Sequence, residues 1–170
     1  MTMCLDRVVL NYAKPKPPSH SDIHLAETAL RIVAMVEKSA KNDALVIRLR
    51  ELTAVPGFTG DETQFEQVLL NLLLNAQKAM PAGGHIDVRL SHDPTEGIVR
   101  FEVEDDGPGI PEEVRKRLFQ PFFTTRTDGT GLGLATCLKN VQYHGGSIEV
   151  QSEVGRGTKF VVTLPLVSRL

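Results

Sequence analysis

"QFEQVLLNLLLNAQKAM", residues 64–80, carries two patterns at once. At about 100° per residue, Phe65, Leu69, Leu72, Leu73, Ala76 and Met80 gather on one side of a helix, while Gln64, Gln67, Asn71, Asn75 and Lys78 form a narrow stripe on the other. The spacing predicts a helix beginning after Asp61, with an apolar face for a core and a face of amides. A solvated surface is one reading of that stripe. Against it, asparagine costs a helix roughly half a kcal/mol or more relative to alanine, and an ordinary wet face more readily carries Glu, Lys or Arg. A carboxamide oxygen can ligate a hard cation such as magnesium, and a lysine one turn further on can meet a phosphate. The second reading is therefore a helix that faces a nucleotide.

Outward from this helix, Leu25, Ala29, Ile32, Val33 and Val36 share one face of "SDIHLAETALRIVAMVEKSAKN", predicting a helix over about 22–40 capped by Ser21 or Asp22. "ALVIRLREL" and "AVPGF" read as short strands, "GHIDVRLS" and "GIVRFEVED" as an alternating strand pair, and "PEEVRKRLF" as a short helix entered through proline. The helical "LGLATCLKNVQYH" and a closing hairpin, "GSIEVQSE" with "GTKFVVTLP", complete the chain. These elements predict a two-layer α/β sandwich, helices on one face of a mixed sheet. Residues 1–20, "CLDRVVLNYA" stopped by the prolines of "KPKPPSHSD", read as the end of a preceding helix and a linker.

The composition narrows the function classes. A chain of 170 residues that is 41% hydrophobic suits one compact domain, here 21–167, and a net charge of −2 argues against a nucleic-acid or anionic-membrane binder. Cys4 and Cys137 lie far apart without a CxxC pair, which points to a reducing, cytoplasmic setting and away from disulfides or zinc. No apolar run approaches the roughly 20 residues that span a bilayer, so no membrane contact by this segment is expected, whether or not a longer parent is anchored elsewhere.

Two further stretches carry chemistry. In "VEDDGPGIP", 103–111, Asp105 ends a strand and Gly107 and Gly109 permit a tight turn stiffened by Pro108. A carboxylate so placed can accept a bond from an exocyclic amine such as adenine's. A plain acidic turn and a calcium loop are the competing readings; Glu102, Glu104, Asp106, Gly107 and Glu113 fall near the calcium offsets, but "RFEVE" is strand where that motif has a helix. In "DGTGLGLA", 128–135, Gly129, Gly131 and Gly133 open a helix whose free amides and dipole favour an anion. Its spacing fits neither the dinucleotide fingerprint nor a Walker loop.

In this order, "NLLLNA", "DDGPGI", "LFQPFFTTR" and "GTGLGLA", followed by "HGGSIEV" and "GTKFVVTLP", resemble the ATP-binding catalytic domain of sensor histidine kinases over about residues 21–166. The resemblance implies the Bergerat fold shared with gyrase, Hsp90 and MutL, with a lid over ATP. It implies Asn75 as the Mg2+ ligand, Asn71 as its phosphate-side neighbour, Lys78 as the basic residue that follows, and Asp105 as the reader of adenine above Gly107 and Gly109. Phe119, Phe122 and Phe123 resemble the phenylalanine box, and "TTRTDGTG" a short lid whose Arg126 reaches a phosphate, hinged at Gly129, Gly131 and Gly133. Ile110, Thr125, Thr130, Leu132 and Thr158 join the implied ATP-binding set. Implied partners are a dimerisation domain carrying the phosphoacceptor histidine, whose last helix "NYAKPKPP" resembles, and a response regulator.

Departures bear on the reading. Ala79 stands where many such kinases place an aromatic residue near adenine. No helical histidine is followed by an acidic residue as a phosphoacceptor; His20, His24, His85, His92 and His144 read as surface or structural, so the expectation is a catalytic fragment acting on a histidine held elsewhere. An ATPase on the same fold carries a glutamate one turn before the magnesium asparagine, and Asn71 occupies that position. That favours a protein-histidine kinase over an ATPase, and the intact "NLLLNA", "DDGPG" and "GTGLGL" argue against a degenerate nucleotide-binding module.

Overall fold

The computed structural model describes residues 21–40 and 44–166. The expected end of a dimerisation helix and linker at 1–20, with Cys4 and His20, lies outside them. A five-stranded sheet runs in the order β2 (Leu45–Glu51), β4 (Gly84–Asp93), β5 (Ile98–Asp105), β7 (Gly157–Pro165), β6 (Ser147–Glu153). Only β2 and β4 are parallel. The chain between them crosses the face of the sheet as the amide-striped helix, α2 (Glu62–Ala79), which packs between α1 (Leu25–Ser39) and α4 (Gly133–Tyr143).

Strand alternation divides the two faces of this mixed sheet. Ile86, Val88, Leu90, Val99, Phe101, Val103, Phe160, Val162 and Leu164 are buried on the helical side. The other face carries Arg89, which bonds Glu104 and Glu102, and Lys159, 3.4 Å from Glu102. One covered face and one wet, charged face make the two-layer sandwich that the patterning predicts. The apolar residues expected on α1 and α2 are all buried, Met80 included. Burying each leucine or phenylalanine is worth about 1.5–3 kcal/mol, which fixes the roll of α2 and hence the direction of its amides.

Two boundaries differ from the sequence reading. Ser21 and Asp22 do not cap α1; they belong to β1 (Ser21–Ile23), which pairs antiparallel with β3 (Phe58–Gly60). The helix starts after His24, whose side chain makes no capping bond. Burial of Ile23 beside Phe58 outweighs the local preference for a polar cap. "AVPGF" likewise gives only its last residue to β3, because Pro56 has no N–H for a ladder. α2 does start as expected, with the Asp61 carboxylate accepting from the Gln64 amide at 3.2 Å. "PEEVRKRLF" forms a single turn, α3 (Glu112–Arg115).

Candidate functional site

The end of β5, the last two turns of α2, the start of α4 and the loop before α4 converge on one edge of the sandwich. Asp105 is buried there, 7% exposed, with its carboxylate accepting from the Gly107 amide at 2.9 Å. Burial raises its pKa; the amides of Gly107 and Thr158 act against the rise. A β-carbon on Gly107 would meet Asp105 Oδ1 at 2.8 Å and the Met80 side chain at 3.1 Å, so glycine is what lets the turn fold over the carboxylate.

The closing hairpin holds this turn in place. The Gly155 amide donates to the Pro108 carbonyl, and the Ile110 amide donates to Ser152 Oγ at 2.8 Å. Ser152 Oγ also lies 2.9 Å from Thr158 Oγ1. Gly109, at φ +73°, lies so close to the Glu153 carbonyl that a β-carbon would be 2.1 Å from it. The neighbouring Asp106 turns away, taking the His85 amide and ring at 2.8 Å each, contacts that lower its pKa with the amide foremost. The two carboxylates of "EDDG" therefore have different tasks, one buried and one pairing with β4.

The amide stripe of α2 splits along its length. Gln64 Nε2 donates to Asp61 at 3.4 Å, Gln67 Oε1 accepts from Asn140 Nδ2 at 3.0 Å, and Asn71 Nδ2 donates to the Gly133 carbonyl at 3.2 Å. These three join α2 to its own cap and to α4. Beneath them lies the Cys137 thiol, pushed up to about 12 by burial and inert as a nucleophile. Asn75 and Lys78, on the following turn, are exposed. Asn71 is thus half-buried and partly committed to scaffolding, and Asn75 is open to a ligand.

The loop 119–132 faces that opening. Phe119 packs edge-on against Phe160, Phe123 lies under the Arg117 guanidinium at 4.3 Å, and Phe122 is 70% exposed. Phe122 also sits at φ +64°, a left-handed conformation uncommon for a bulky side chain. Its amide donates to the Gly131 carbonyl, and Gly131, at φ +69°, would collide with Phe122 if it bore a β-carbon. Thr125, Thr130 and Arg126 are exposed, while Leu132 buries its side chain as the anchor of the α4 end. The N-terminus of α4 has no side-chain cap, leaving first-turn amides for an anion.

Over residues 60–168 the sequence matches the family described as histidine kinase-, DNA gyrase B-, and HSP90-like ATPase. The chain belongs to that family. Within it, sporulation kinase C of Bacillus subtilis (strain 168) is 33% identical over 162 residues, covering 94% of this chain and 37% of that protein. The crystal structure of full-length ShkA in complex with AMPPNP superimposes with a TM-score of 0.85 at 28% identity, over 98% of this chain and 36% of that one. Histidine kinase ThkA, in complex with response regulator protein TrrA, superimposes with a TM-score of 0.78 at 26% identity, over 98% of this chain and 48% of that one. The chain therefore spans between about a third and just under half of each of these proteins.

Sequence reasoning missed two contributors to the site: Ser152, which fastens the Asp105 turn, and Asp128, which pairs with Arg126. Arg126 Nε donates to Asp128 Oδ1 at 3.1 Å and its Nη1 to the Lys78 carbonyl at 2.9 Å. An alternating "SIEVQSE" gives no sign that one serine faces a turn on another strand. The spacing of Arg126 and Asp128 could have suggested their pairing, since side chains two residues apart in a tight loop can meet.

Proposed function

We propose that this chain binds Mg-ATP between α2, the Asp105 turn and the 119–132 lid, and transfers the γ-phosphate to a histidine on a separate dimerisation domain, for relay to a response regulator. Kinship with sporulation kinase C and a fold like that of AMPPNP-bound ShkA support the nucleotide; the ThkA–TrrA complex supports the regulator as downstream partner. Asp105 accepts from the adenine amine, Asn71 and Lys78 lie along the phosphates, and the uncapped amides of α4 receive their charge.

The residues present fit magnesium as well. Among the described residues no cluster of three or more His, Cys, Asp or Glu side chains could hold a metal on its own. Asn75 supplies one neutral oxygen, which suits an ion held chiefly by nucleotide phosphates and water. Such an ion would neutralise charge on the transferred group.

The observation that carries kinase over ATPase is the Asn71 amide. It stands one turn before Asn75, its nitrogen bonded to Gly133, and an amide cannot take a proton from water at neutral pH. Transfer to a neutral imidazole needs no such base: the imidazole nitrogen forms the N–P bond, the β–γ bridging P–O bond breaks and ADP departs. No helix among the described residues is long and apolar enough to cross a membrane; a cytoplasmic location is part of this reading.

Radiolabelled ATP tests it. The isolated chain is expected to release negligible phosphate and not to label itself, yet to label a histidine when the dimerisation domain is added in trans. Brisk hydrolysis by the chain alone would place it among ATPases, and no labelling with the cognate domain would make it a nucleotide-binding regulatory module.

A further inference from the structure

The Arg126 side chain, expected at a phosphate, is already engaged. Its Nε and Nη2 face the two carboxylate oxygens of Asp128 at 3.1 and 3.4 Å, while Nη1 reaches the Lys78 carbonyl at the end of α2. The Lys78 charge also acts on Asp128, adding to the stronger effect of Arg126 in lowering its pKa. Arg126 thus bonds a carboxylate of its own loop and the backbone of Lys78, the other cation that the Mg-ATP reading assigns to phosphate. The loop geometry fits it there: Thr124 Oγ1 accepts from the Arg126 amide at 3.0 Å, and Gly129 has no room for a β-carbon, which would lie 2.4 Å from that oxygen.

We propose that Asp128 is an internal stand-in for the terminal phosphate of the nucleotide, holding Arg126 beside Lys78 until ATP displaces the carboxylate. Two anions cannot share this seat, so the carboxylate lowers ATP affinity while keeping the lid docked on α2. Opposite charges at exposed positions interact weakly, which makes the exchange readily reversible. The inference rests on the Mg-ATP reading and assigns Asp128 a positioning and regulatory role within it.

Calorimetry of this chain with Mg-ATP and with adenosine tests the proposal. Asp128→Asn is expected to tighten ATP about threefold and to leave adenosine unchanged. Arg126→Ala should weaken ATP, and in that background Asp128→Asn should give no gain. A gain that persists without Arg126 would reduce Asp128 to simple repulsion, and an equal gain for adenosine or no gain at all would also overturn the stand-in. A wild-type chain that binds neither ligand would instead sink the nucleotide reading, and this inference with it.

Discussion

The two ends of the polar stripe on α2 each carry a carboxamide at helical spacing and do different things. Gln64, Gln67 and Asn71 are tied to Asp61, Asn140 and Gly133, whereas Asn75 and Lys78 are exposed at the mouth of the site. The division follows from where α4 ends. Where α4 runs alongside, Gln67 and Asn71 find partners on it and fasten the two helices, and Gln64 turns back to the cap at Asp61; beyond Gly133 only the 119–132 loop lies opposite, and the next amide is exposed. A preorganised scaffold and an open ligand position are thus one helical stripe cut by the start of a neighbouring helix.

The largest expected effect lies at Asp105, the carboxylate that the scaffold buries. Asp105→Asn keeps the size and an acceptor for Gly107 but offers a donor to adenine, so ATP affinity should fall on the order of thirty- to a hundredfold, and discrimination against GTP should shrink or reverse. Competition for a fluorescent nucleotide reads both. The pH dependence has a defined sign. Because burial raises its pKa in the folded chain, Asp105 contributes stability that is fully present below its unfolded value and is lost as pH rises through the folded one. Nucleotide binding runs oppositely, since the ionised carboxylate is the acceptor: affinity should drop as pH falls through that raised pKa. This loss should be absent in Asp105→Asn.

Next in size is Asn75→Ala. It should weaken ATP about tenfold with Mg2+ present and scarcely in chelator, leaving the melting temperature unchanged because the side chain is exposed. A loss of the same size without Mg2+ would remove Asn75 from the metal and turn it into an ordinary polar contact.

How much of this was legible follows from range. The helix faces of α1 and α2, the β4–β5 pair and the closing hairpin are written in local periodicity, and the structure reproduces them. The β1–β3 ladder was not, because its three residue pairs join segments distant in sequence and its driving force is burial of Ile23 and Phe58 rather than propensity. At the candidate site, the turn chemistry of "EDDG" shows in Gly107, which folds over Asp105 and lies against Met80 at the end of α2. The binding of Asn71 by Gly133, and of Ile110 by Ser152, depends on the packing of separate elements, to which a periodicity reading is blind. His144 falls between these cases. Read as surface or structural, it is buried with Nδ1 against the Asn140 carbonyl and Nε2 accepting from the Asp61 amide, a strut between α4 and the cap of α2.

The smallest effect gives the sharpest test of the division within α2. Gln67→Ala removes the partner of Asn140, a side chain only 9% exposed, and leaves its Nδ2 hydrogens without an acceptor in the α2–α4 seam. A buried donor so stranded costs about 1–2 kcal/mol, which for a domain of this size lowers the melting temperature by a few degrees. Nucleotide affinity, in contrast, should stay within about twofold, because the lost bond lies two turns from Asn75 and an α-helix transmits little of a local side-chain deletion along its axis. Thermal denaturation and calorimetry on the same variant read the two quantities separately. Were Gln67→Ala to weaken ATP as much as Asn75→Ala does, with stability unchanged, the amides would act as one ligand surface, and the cut imposed by α4 would have no functional meaning.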